Sequence, residues 1–529
     1  MSRKRNVFFT AVLSLLCSAA TAAPEAGWRL DKNAKWETEN GKKILTVSAP
    51  EAVSQSFQIQ NIDMTPYIGK DILLKVDIRA NDVKKPKNTM YHGVKFMLIL
   101  RQNGRKQYFE TRMTGLRYGT YNWTTSQIML SVPENIAKNA ELVVGLQNTS
   151  GTAAFRNFSI QEFKHYSPEL PENFRCEYTG SAKSLPILRG VMSPQPLKLK
   201  KEDVTELGRW KANAMRYQLN VPRSLAGDPA KYRNWMERCL KNLDNLLPEF
   251  KKQNIYVILD MHTPPGGRYG KMQLLGTASD GKRVQTTPQS AFRMFFEDSY
   301  KDLYLACWKE IAERYKDQDI IVAYDLVNEP DQSMSMPKYD YLWLQEQAAN
   351  TIRKIDPEKL LIVTCDEWAK ARTFPKLRPL PLKNILYTFH FYQPGEYTHQ
   401  GIADQFKQAK QGKINGYPGK YDGYWFDREQ MRISMKPVRD FQLKYGAKIY
   451  VGEFSVIRFA KGGAQYLEDA ISLFEEYGWN WTYHAFREWD YWSVEHSDDI
   501  NDTVPTKQDT DRKKVLLRYF QKNKLGSDN

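Results

Sequence analysis

The stretch 320–330, which reads IIVAYDLVNEP, constrains the fold of this 529-residue chain more than any other feature. Its branched and aromatic residues are typical of a strand that is buried on both faces, as the strands of a parallel sheet are. Pro330 cannot donate a backbone hydrogen bond to a neighbouring strand, so we predict that the strand stops there. Glu329 then lies at the carboxyl end of a buried strand, where an α/β barrel builds its active site. The alternative is a glutamate that only caps the next helix.

Seven other apolar runs have the same character, and amphipathic helical stretches separate them. With the first run, the eight predicted strands are 187–193, 212–219, 255–262, 320–330, 360–368, 385–394, 449–455 and 479–486. Parallel strands need long crossover connections, which are usually helices, so this alternation predicts a (β/α)8 TIM barrel over residues 185–525. Long loops at 263–288 and 395–427 follow the third and sixth strands, on the face where loops usually shape specificity.

Residues 23–163 have a different pattern, with short strands separated by turns. The run ILLKVDIRA at 72–80 alternates apolar and polar side chains, and no long helical period appears. This pattern predicts an antiparallel β-sandwich, joined to the barrel by a polar, proline-containing linker at 164–184. The order of the pieces, from the strand at 73–79 to a close near 151–158, resembles the jelly-roll carbohydrate-binding modules found beside polysaccharide hydrolases.

The first 22 residues are predicted to be a secretory signal peptide. A basic start is followed by an apolar run at 7–16, too short to span a bilayer, and then by the small-residue cleavage pattern Ala20-Thr21-Ala22. We therefore expect a secreted or periplasmic protein of bacterial origin that has no membrane segment after the signal is removed.

Charge and cysteine spacing give no sign of nucleic acid or metal binding. The formal charge is +16, but the lysines are scattered and the aromatic residues do not alternate with basic runs, so no nucleic acid partner is expected. The cysteines are too widely spaced for a zinc site, and no other motif indicates a metal or a cofactor. Cys239 and Cys307 fit either a disulfide in an oxidising compartment or two unpaired buried thiols. We expect a monomer whose partner is a polysaccharide.

Polar residues stand at the ends of five predicted strands. In strand order they are Arg216, His262, Asn328, Glu329, His390, Tyr392 and Glu453. Since the strand ends of a barrel converge on one pocket, Glu329 and Glu453 are expected to face each other. Paired carboxylates of this kind perform glycoside hydrolysis: one stays protonated and gives its proton to the leaving oxygen, and the other stays ionised and attacks the anomeric carbon. A separation of about 5–5.5 Å gives retention of configuration, and a wider gap that admits water gives inversion.

The same stretches resemble glycoside hydrolase family 5, a cellulase-like family of retaining barrel enzymes. The matching pieces are Met215-Arg216, Leu259-Asp260-Met261-His262, Asn328-Glu329-Pro330, His390-Phe391-Tyr392 and Gly452-Glu453-Phe454. Their order and spacing fit the family across nearly all of residues 185–525. The resemblance implies that Glu329 is the general acid/base and that Glu453 is the nucleophile.

Further roles follow only from this resemblance. Asn328 is expected to bind the 2-hydroxyl of the sugar in the −1 subsite. Tyr392 is expected to donate a hydrogen bond to Glu453, with Arg216 close by, and such neighbours keep a carboxylate ionised. His262 and His390 are expected to hold substrate hydroxyls or to orient the two carboxyl groups.

One position departs from the family. Its members usually carry a tryptophan at the end of the eighth strand, which forms the floor of the −1 subsite, whereas this chain has His484 there. Trp489 is the predicted replacement, and Trp368, after the fifth strand, is a second candidate for stacking on a sugar ring.

These observations predict a secreted two-domain enzyme that cleaves internal β-1,4 linkages of a polysaccharide with retention. β-Glucan is the first expectation and mannan the second, and xyloglucan or exo-acting cleavage is also open. The alternative from another class is a non-catalytic carbohydrate-binding protein, which the intact pair Glu329 and Glu453 disfavours. A barrel enzyme that uses a lysine Schiff base is disfavoured as well, because none of the eight predicted strands ends in a lysine.

Overall fold

The structure is a computed structural model of the chain, and it describes residues 25–87, 91–110, 116–268, 291–332, 337–402, 412–421 and 423–523. The predicted signal peptide lies outside the described residues, as do most of the loop at 263–288 and part of the loop at 395–427. The chain divides into two compact units, the first ending at Phe163 and the second beginning at Lys164.

The first unit is built from antiparallel strands. Its described strands are Trp28–Arg29, Ala34–Glu39, Lys42–Asp63, Asp71–Val83, Gly93–Gln102, Arg105–Glu110, Gly119–Ser131 and Asn139–Glu162. The two longest strands, Lys42–Asp63 and Asn139–Glu162, pair with each other along most of their length. The first half of Asn139–Glu162 also pairs with Gly93–Gln102, and its second half pairs with Asp71–Val83. The two long strands therefore join the shorter strands into one antiparallel sheet, and its alternating apolar side chains share one core.

The second unit contains a closed barrel of eight parallel strands that follow one another in chain order. These strands are Arg189–Met192, Ala214–Gln218, Tyr256–Asp260, Ile321–Asp325, Leu360–Thr364, Ile385–Phe391, Lys448–Phe454 and Asn480–Tyr483. All eight lie inside or within one residue of the runs identified from the sequence, so the predicted (β/α)8 barrel is confirmed, and the all-β region before it is confirmed as well.

Helices cover the outside of the barrel and bury an apolar stripe against it. The described helices of the second unit are Gly180–Ser184, Lys201–Arg209, Arg223–Ala226, Pro229–Lys252, Asp298–Tyr315, Tyr341–Arg353, Asp366–Ala369, Gly395–Thr398, Arg428–Tyr445, Gly463–Glu476 and Asp511–Phe520. The helix Pro229–Lys252 begins at Asp228, whose side chain accepts hydrogen bonds from the backbone of Ala230 and Lys231. None of the helices in the described ranges is long and apolar enough to cross a membrane.

Alternation along the strands places the polar residues of the barrel interior. Ala214, Ile258 and Ala323 belong to an apolar cluster that fills one layer of the barrel. Side chains two positions apart point the same way in a strand, so the next interior layer is formed by residues such as Arg216 and Asp325. Charged groups therefore lie directly above an apolar layer, toward the carboxyl ends of the strands.

The fourth barrel strand is shorter than the sequence indicates. It ends at Asp325, and residues 326–329 continue as irregular backbone beyond it. Two hydrogen bonds hold this extension: Leu326 N donates to Ile362 O at 3.1 Å, and Asn328 N donates to Met261 O at 3.2 Å. Glu329 then adopts a left-handed conformation with φ 48°. The prediction that Glu329 lies at the end of the strand is therefore wrong by four residues. The strand ends at Asp325, and the chain has already turned before it reaches Pro330.

Gly190, in the first barrel strand, is a position where an added methyl group has no room. A Cβ atom there would lie 2.0 Å from the carbonyl oxygen of Ala214 on the neighbouring strand. We expect Gly190→Ala to lower the free energy of unfolding by about 1–3 kcal/mol, the usual cost of overpacking a core, measured by urea unfolding. Gly395→Ala is the matched control, because a Cβ atom at Gly395 meets no heavy atom within 4 Å. Equal stability of the two variants would contradict this account of the barrel packing.

Candidate active site

A cavity of about 510 Å³ opens at the carboxyl ends of the barrel strands. Its lining combines carboxylates, histidines and aromatic rings: His262, Asn328, Glu329, Trp368, Lys370, Ala371, His390, Phe391, Tyr392, Gln393, Gly395, His399, Glu453, His484 and Trp492. Seven residues of the nine selected from the sequence are in this lining. Of the other two, Arg216 contacts the lining from below, and Trp489 lies elsewhere.

Glu453 is the more deeply buried of the two central carboxylates, Glu329 and Glu453. It belongs to the seventh barrel strand, and its side chain is 6% exposed. One carboxylate oxygen, Oε1, accepts a hydrogen bond from Arg216 at 2.7 Å, and the other, Oε2, accepts one from Tyr392 Oη at 2.9 Å. Burial by itself raises the pKa of Glu453, but His390, His484 and Arg216 outweigh it and hold this pKa well below its usual range. Glu453 is therefore an ionised group across the physiological pH range.

Arg216 ties four barrel strands together through their interior side chains. It is fully buried, and its guanidinium donates to Asp325 at 2.9 Å, to Asn328 at 3.0 Å and to Glu453. Asp260 is 3.0 Å away as a further ion partner. Burial lowers the pKa of Arg216, but the carboxylates of Asp260, Asp325 and Glu453 raise it well above its ordinary value. Three buried carboxylates thus share one cation, and burial still raises the pKa of one of them, Asp325, to about 6. Leaving any of them without a partner is costly.

Glu329 has a different environment from Glu453. Its side chain is 20% exposed, and its Oε1 lies 2.9 Å from Nδ1 of His390. The same His390 nitrogen is 3.6 Å from Oε2 of Glu453, so this ring stands between the two carboxylates. Gly452 leaves the room for it, because a Cβ atom there would lie 2.9 Å from Nε2 of His390. This is a physical reason for the glycine in the motif Gly452-Glu453-Phe454.

The two carboxylates are close enough to act on one bond. An oxygen of Glu329 and an oxygen of Glu453 lie within 4.8 Å of each other and of a His390 nitrogen. Three such atoms are also of a type that can ligate a metal ion, and here one hydrogen bond joins His390 to Glu329. This approach fits the narrow carboxylate pair of a retaining glycosidase better than the wider pair of an inverting one.

The remaining polar residues from the sequence also face this cavity. Nδ1 of His262 is 2.9 Å from Asp260 Oδ2, and although burial lowers the pKa of His262, Asp260 raises it above its ordinary value. Trp368 is 38% exposed and packs its ring 4.1 Å from the guanidinium of Arg268. Arg268 in turn donates to the backbone oxygen of Glu329. The turn that carries Glu329 is therefore held by the loop after the third strand, on which Trp368 packs from the fifth-strand side.

Trp489 does not occupy the place expected for it. It lines a second cavity of about 320 Å³, together with Glu488 and Asp490, instead of the cavity that contains the carboxylates. Trp492, three residues later, lines the carboxylate cavity and packs 5.7 Å from the ring of His484. The sequence prediction missed Trp492, since two tryptophans three positions apart in a loop carry no periodicity that indicates which one turns inward.

Other lining residues were missed for a similar reason. Lys370 and His399 lie in loops, after the fifth and the sixth strand, where the sequence has no regular period. Asp260 and Asp325 lie within predicted strands, and their charged side chains were the available signal, because a strand interior rarely buries an aspartate without a cationic partner. The described cysteines, Cys176, Cys239, Cys307 and Cys365, are all unpaired thiols.

Comparison with known proteins decides the family. The family model described as "Cellulase (glycosyl hydrolase family 5)" matches residues 180–493, which is more than half of the chain. The chain belongs to glycosyl hydrolase family 5. The resemblance seen in the sequence is thus confirmed, and this family 5 chain is a glycoside hydrolase of the endoglucanase-like type.

Individual relatives of the family 5 chain match the barrel region. Endoglucanase C of Acetivibrio thermocellus is 28% identical over 276 residues, which cover 47% of this chain and 74% of the relative. Cellodextrinase A of Ruminococcus flavefaciens is 21% identical over 277 residues, which cover 52% and 73%. Among solved structures, Cel5A of Thermotoga maritima is 22% identical, with a TM-score of 0.47 over 63% of this chain and 96% of that one.

Removal of the Arg216 guanidinium should destabilise the fold in a pH-dependent way. Arg216→Met leaves Asp260, Asp325 and Glu453 without their shared cation, so we expect a loss of about 3–5 kcal/mol in the free energy of unfolding at pH 7. Burial already raises the pKa of Asp325 to about 6 beside Arg216. Without the guanidinium this pKa rises further above its unfolded value, so protonation of Asp325 stabilises the folded variant and part of the loss is recovered as the pH falls from 7 to 5. Urea unfolding at both pH values measures this difference.

The matched control for that experiment is an exposed arginine. Arg518 is 59% exposed and pairs with Glu468 on the surface of the barrel unit. Arg518→Met should change the free energy of unfolding by less than about 0.5 kcal/mol. A loss in Arg216→Met that is equally small, or equal at pH 7 and pH 5, would contradict the assigned charge balance.

Proposed function

We propose that this family 5 chain hydrolyses internal β-1,4 linkages of a polysaccharide with retention of configuration, with β-glucan as its substrate. Glu329 acts as the general acid/base and Glu453 as the nucleophile. The observation that carries this proposal is the approach of the two carboxylates to within 4.8 Å, in surroundings that differ in charge and in access to solvent.

The surroundings of each carboxylate match its proposed task. A nucleophile has to be ionised, and Glu453 accepts hydrogen bonds from Arg216 and Tyr392 inside the barrel. An acid/base group has to exchange protons with the leaving group and with water, and Glu329 is the more exposed of the two. This asymmetry supports the assignment of the acid/base role to Glu329 and the nucleophile role to Glu453.

The reaction proceeds in two displacements. In the first, Glu453 forms a bond to the anomeric carbon while the glycosidic bond breaks, and Glu329 gives its proton to the leaving oxygen. In the second, Glu329 takes a proton from water as the water oxygen attacks the anomeric carbon, and the bond to Glu453 breaks with its electron pair returning to the carboxylate. The product sugar therefore keeps the configuration of the substrate.

Neighbouring groups are proposed to hold the sugar that reacts. Arg216 can only donate hydrogen bonds, so its 3.0 Å contact fixes Asn328 with the amide oxygen toward Arg216. The NH₂ group of Asn328 is then the donor to the 2-hydroxyl in the −1 subsite. We propose that Trp368 stacks on a sugar ring and that His262 and His390 bind substrate hydroxyls or orient the carboxyls.

The preference for β-1,4-glucan rests on the relatives. Several are named endoglucanases, and one is named a cellodextrinase. The pair Glu329 and Glu453 is intact, which disfavours a protein that only binds carbohydrate.

We further propose that the chain is exported, on the strength of the basic, apolar and small-residue pattern of residues 1–22. N-terminal sequencing of the protein from its native host would test export: an unprocessed Met1 would contradict it.

Substitution of each carboxylate tests the roles and separates them. On a soluble β-glucan, Glu329→Gln and Glu453→Gln should each lower kcat by at least about 10²-fold, since one acid/base group alone is worth ~10²–10⁴. On an aryl cellobioside whose leaving group needs no proton, Glu329→Gln should still release the aryl group in a first burst, whereas Glu453→Gln should not. Glu429→Gln, on the exposed face of the helix Arg428–Tyr445, is the control and should behave as wild type.

The substrate is tested in the same assay with a panel of soluble β-glucan, mannan, xylan and xyloglucan. Proton NMR of the first product reports the anomer, and the β-anomer is expected. Preferred cleavage of mannan or xyloglucan would change the substrate assignment and keep the site assignment. Inversion, or turnover within about tenfold of wild type in either carboxylate variant, would contradict the proposed mechanism.

A further inference from the structure

His484 marks the point at which this chain departs from the aromatic subsite floor of its family. It follows the eighth barrel strand, lines the carboxylate cavity and has a side chain that is 17% exposed. Its Nδ1 lies 2.7 Å from Tyr392 Oη and 4.0 Å from Glu453 Oε2. Its Nε2 lies 2.8 Å from Glu488 Oε2. The imidazole therefore connects the tyrosine beside one central carboxylate to a third carboxylate.

Counting protons along these contacts fixes the charge of His484. Tyr392 has one hydroxyl proton, and Glu453 is acceptor-only when ionised, so the 2.9 Å contact between them uses that proton. Tyr392 must then accept at its 2.7 Å contact with His484, which makes Nδ1 a donor. An ionised Glu488 likewise makes Nε2 a donor. An imidazole in which both nitrogens donate is an imidazolium.

Glu488 is itself fixed in place from the barrel interior. Its Oε1 accepts a hydrogen bond at 3.0 Å from Gln218, the last residue of the second barrel strand, which is fully buried. Gln218 Nε2 also donates to the carbonyl oxygen of Ser193 at 2.6 Å. Burial raises the pKa of Glu488, but the hydrogen bond with His484 and the charge of that ring outweigh burial and bring this pKa below its ordinary value. Both oxygens of Glu488 thus have partners, and the carboxylate stays ionised beside His484.

The groups that face His484 from the surrounding elements are mostly anionic. Glu453 on the seventh strand acts on it together with Glu488, and Tyr392 closes the sixth-strand side. His399 is a nearby basic group on the sixth-strand loop, but burial lowers the pKa of His399 to about 4, so it is neutral near pH 7. The ring of Trp492 covers the remaining side of His484. Net negative surroundings favour the charged form of the imidazole.

We propose that Glu488 keeps His484 as an imidazolium, and that this pair is a positioning device that orients the Tyr392 hydroxyl toward Glu453 and keeps Glu453 ionised. The charge state follows from the hydrogen-bond geometry together with the ionised state of Glu453 and Glu488, whereas its catalytic consequence rests on the function proposed above. The device takes the position of the family's aromatic floor, so charge and hydrogen bonding replace stacking on this side of the reacting sugar. When the glycosyl-enzyme bond to Glu453 breaks, the imidazolium faces the returning carboxylate charge and stabilises it.

The charge of His484 can be measured without a substrate. The chain contains 7 histidines, so ¹⁵N-histidine labelling of the full chain gives few imidazole signals, and the loss of one signal in His484→Asn assigns it. We expect both His484 nitrogens to be protonated at pH 7.5, above the ordinary pKa of about 6.5. In Glu488→Gln the same ring should be neutral at pH 7.5. A wild-type His484 that titrates at or below pH 6.5 would overturn the proposal.

The catalytic consequence is read from the pH profile of kcat/KM on a short soluble β-glucan oligosaccharide. Without the imidazolium of His484, the pKa of Glu453 rises even though Arg216 stays in place, so the acid limb in His484→Asn should move to higher pH by about 1–3 units. His92→Asn is the matched control, because His92 lies in the sandwich unit and contacts Asn148 there. It should leave the profile unchanged.

The outcomes separate this inference from the proposed function. If wild type is inactive on every β-glucan, the proposed function fails, and the NMR experiment still decides the charge of His484. If wild type is active and the acid limb is the same in His484→Asn, the positioning role is wrong. If His484→Asn does not fold, Glu488→Gln replaces it in both experiments. The NMR spectrum of Glu488→Gln should show a neutral His484, and the acid limb of its kcat/KM profile should move to higher pH.

Discussion

The buried contact between Arg216 and its carboxylates is the interaction on which the rest of the site depends. Two aspartates inside the barrel, Asp260 and Asp325, and the central Glu453 all reach the same guanidinium. None of these groups can be buried alone without a cost of several kcal/mol, so the sequence has to place all of them on strands that meet. The closed barrel does this by bringing the second, third, fourth and seventh strands to one point. The buried contacts of Arg216 therefore constrain both the arrangement of the strands and the arrangement of the site.

This charge balance also explains how two glutamates lie so close together in different surroundings. Two carboxylates at this distance cannot both ionise easily unless cations favour one of them. Glu453 lies on the side of Arg216 and Tyr392, inside the barrel, whereas Glu329 is carried outward by the turn after the fourth strand. His390 spans the gap and contacts both. The asymmetry needed for acid and nucleophile roles is therefore built by strand positions, before any substrate is present.

Much of the fold was predictable from the sequence, because apolar runs of strand length repeat with helical stretches between them. The polar residues that close these runs indicated where the cavity lies. The end of the fourth strand was not predictable, since the turn to a positive φ at Glu329 depends on backbone contacts with the third and fifth strands. The choice between Trp489 and Trp492 also depends on loop packing, which no local pattern encodes. Asp260 and Asp325 were missed as a network, because a single sequence does not show which buried charges share a partner.

The central claim is that Glu453, which Arg216 and Tyr392 keep ionised, is the nucleophile that forms a covalent bond to the anomeric carbon. A 2-deoxy-2-fluoro cellobioside with a good leaving group slows the second displacement and lets the covalent species accumulate. Intact-mass and peptide mass spectrometry after such a reaction test the claim most directly. The account predicts one fluoroglycosyl group per chain, attached to the peptide that contains Glu453. An adduct on any other residue, or turnover of a natural β-glucan by an enzyme that the reagent never labels, would contradict it.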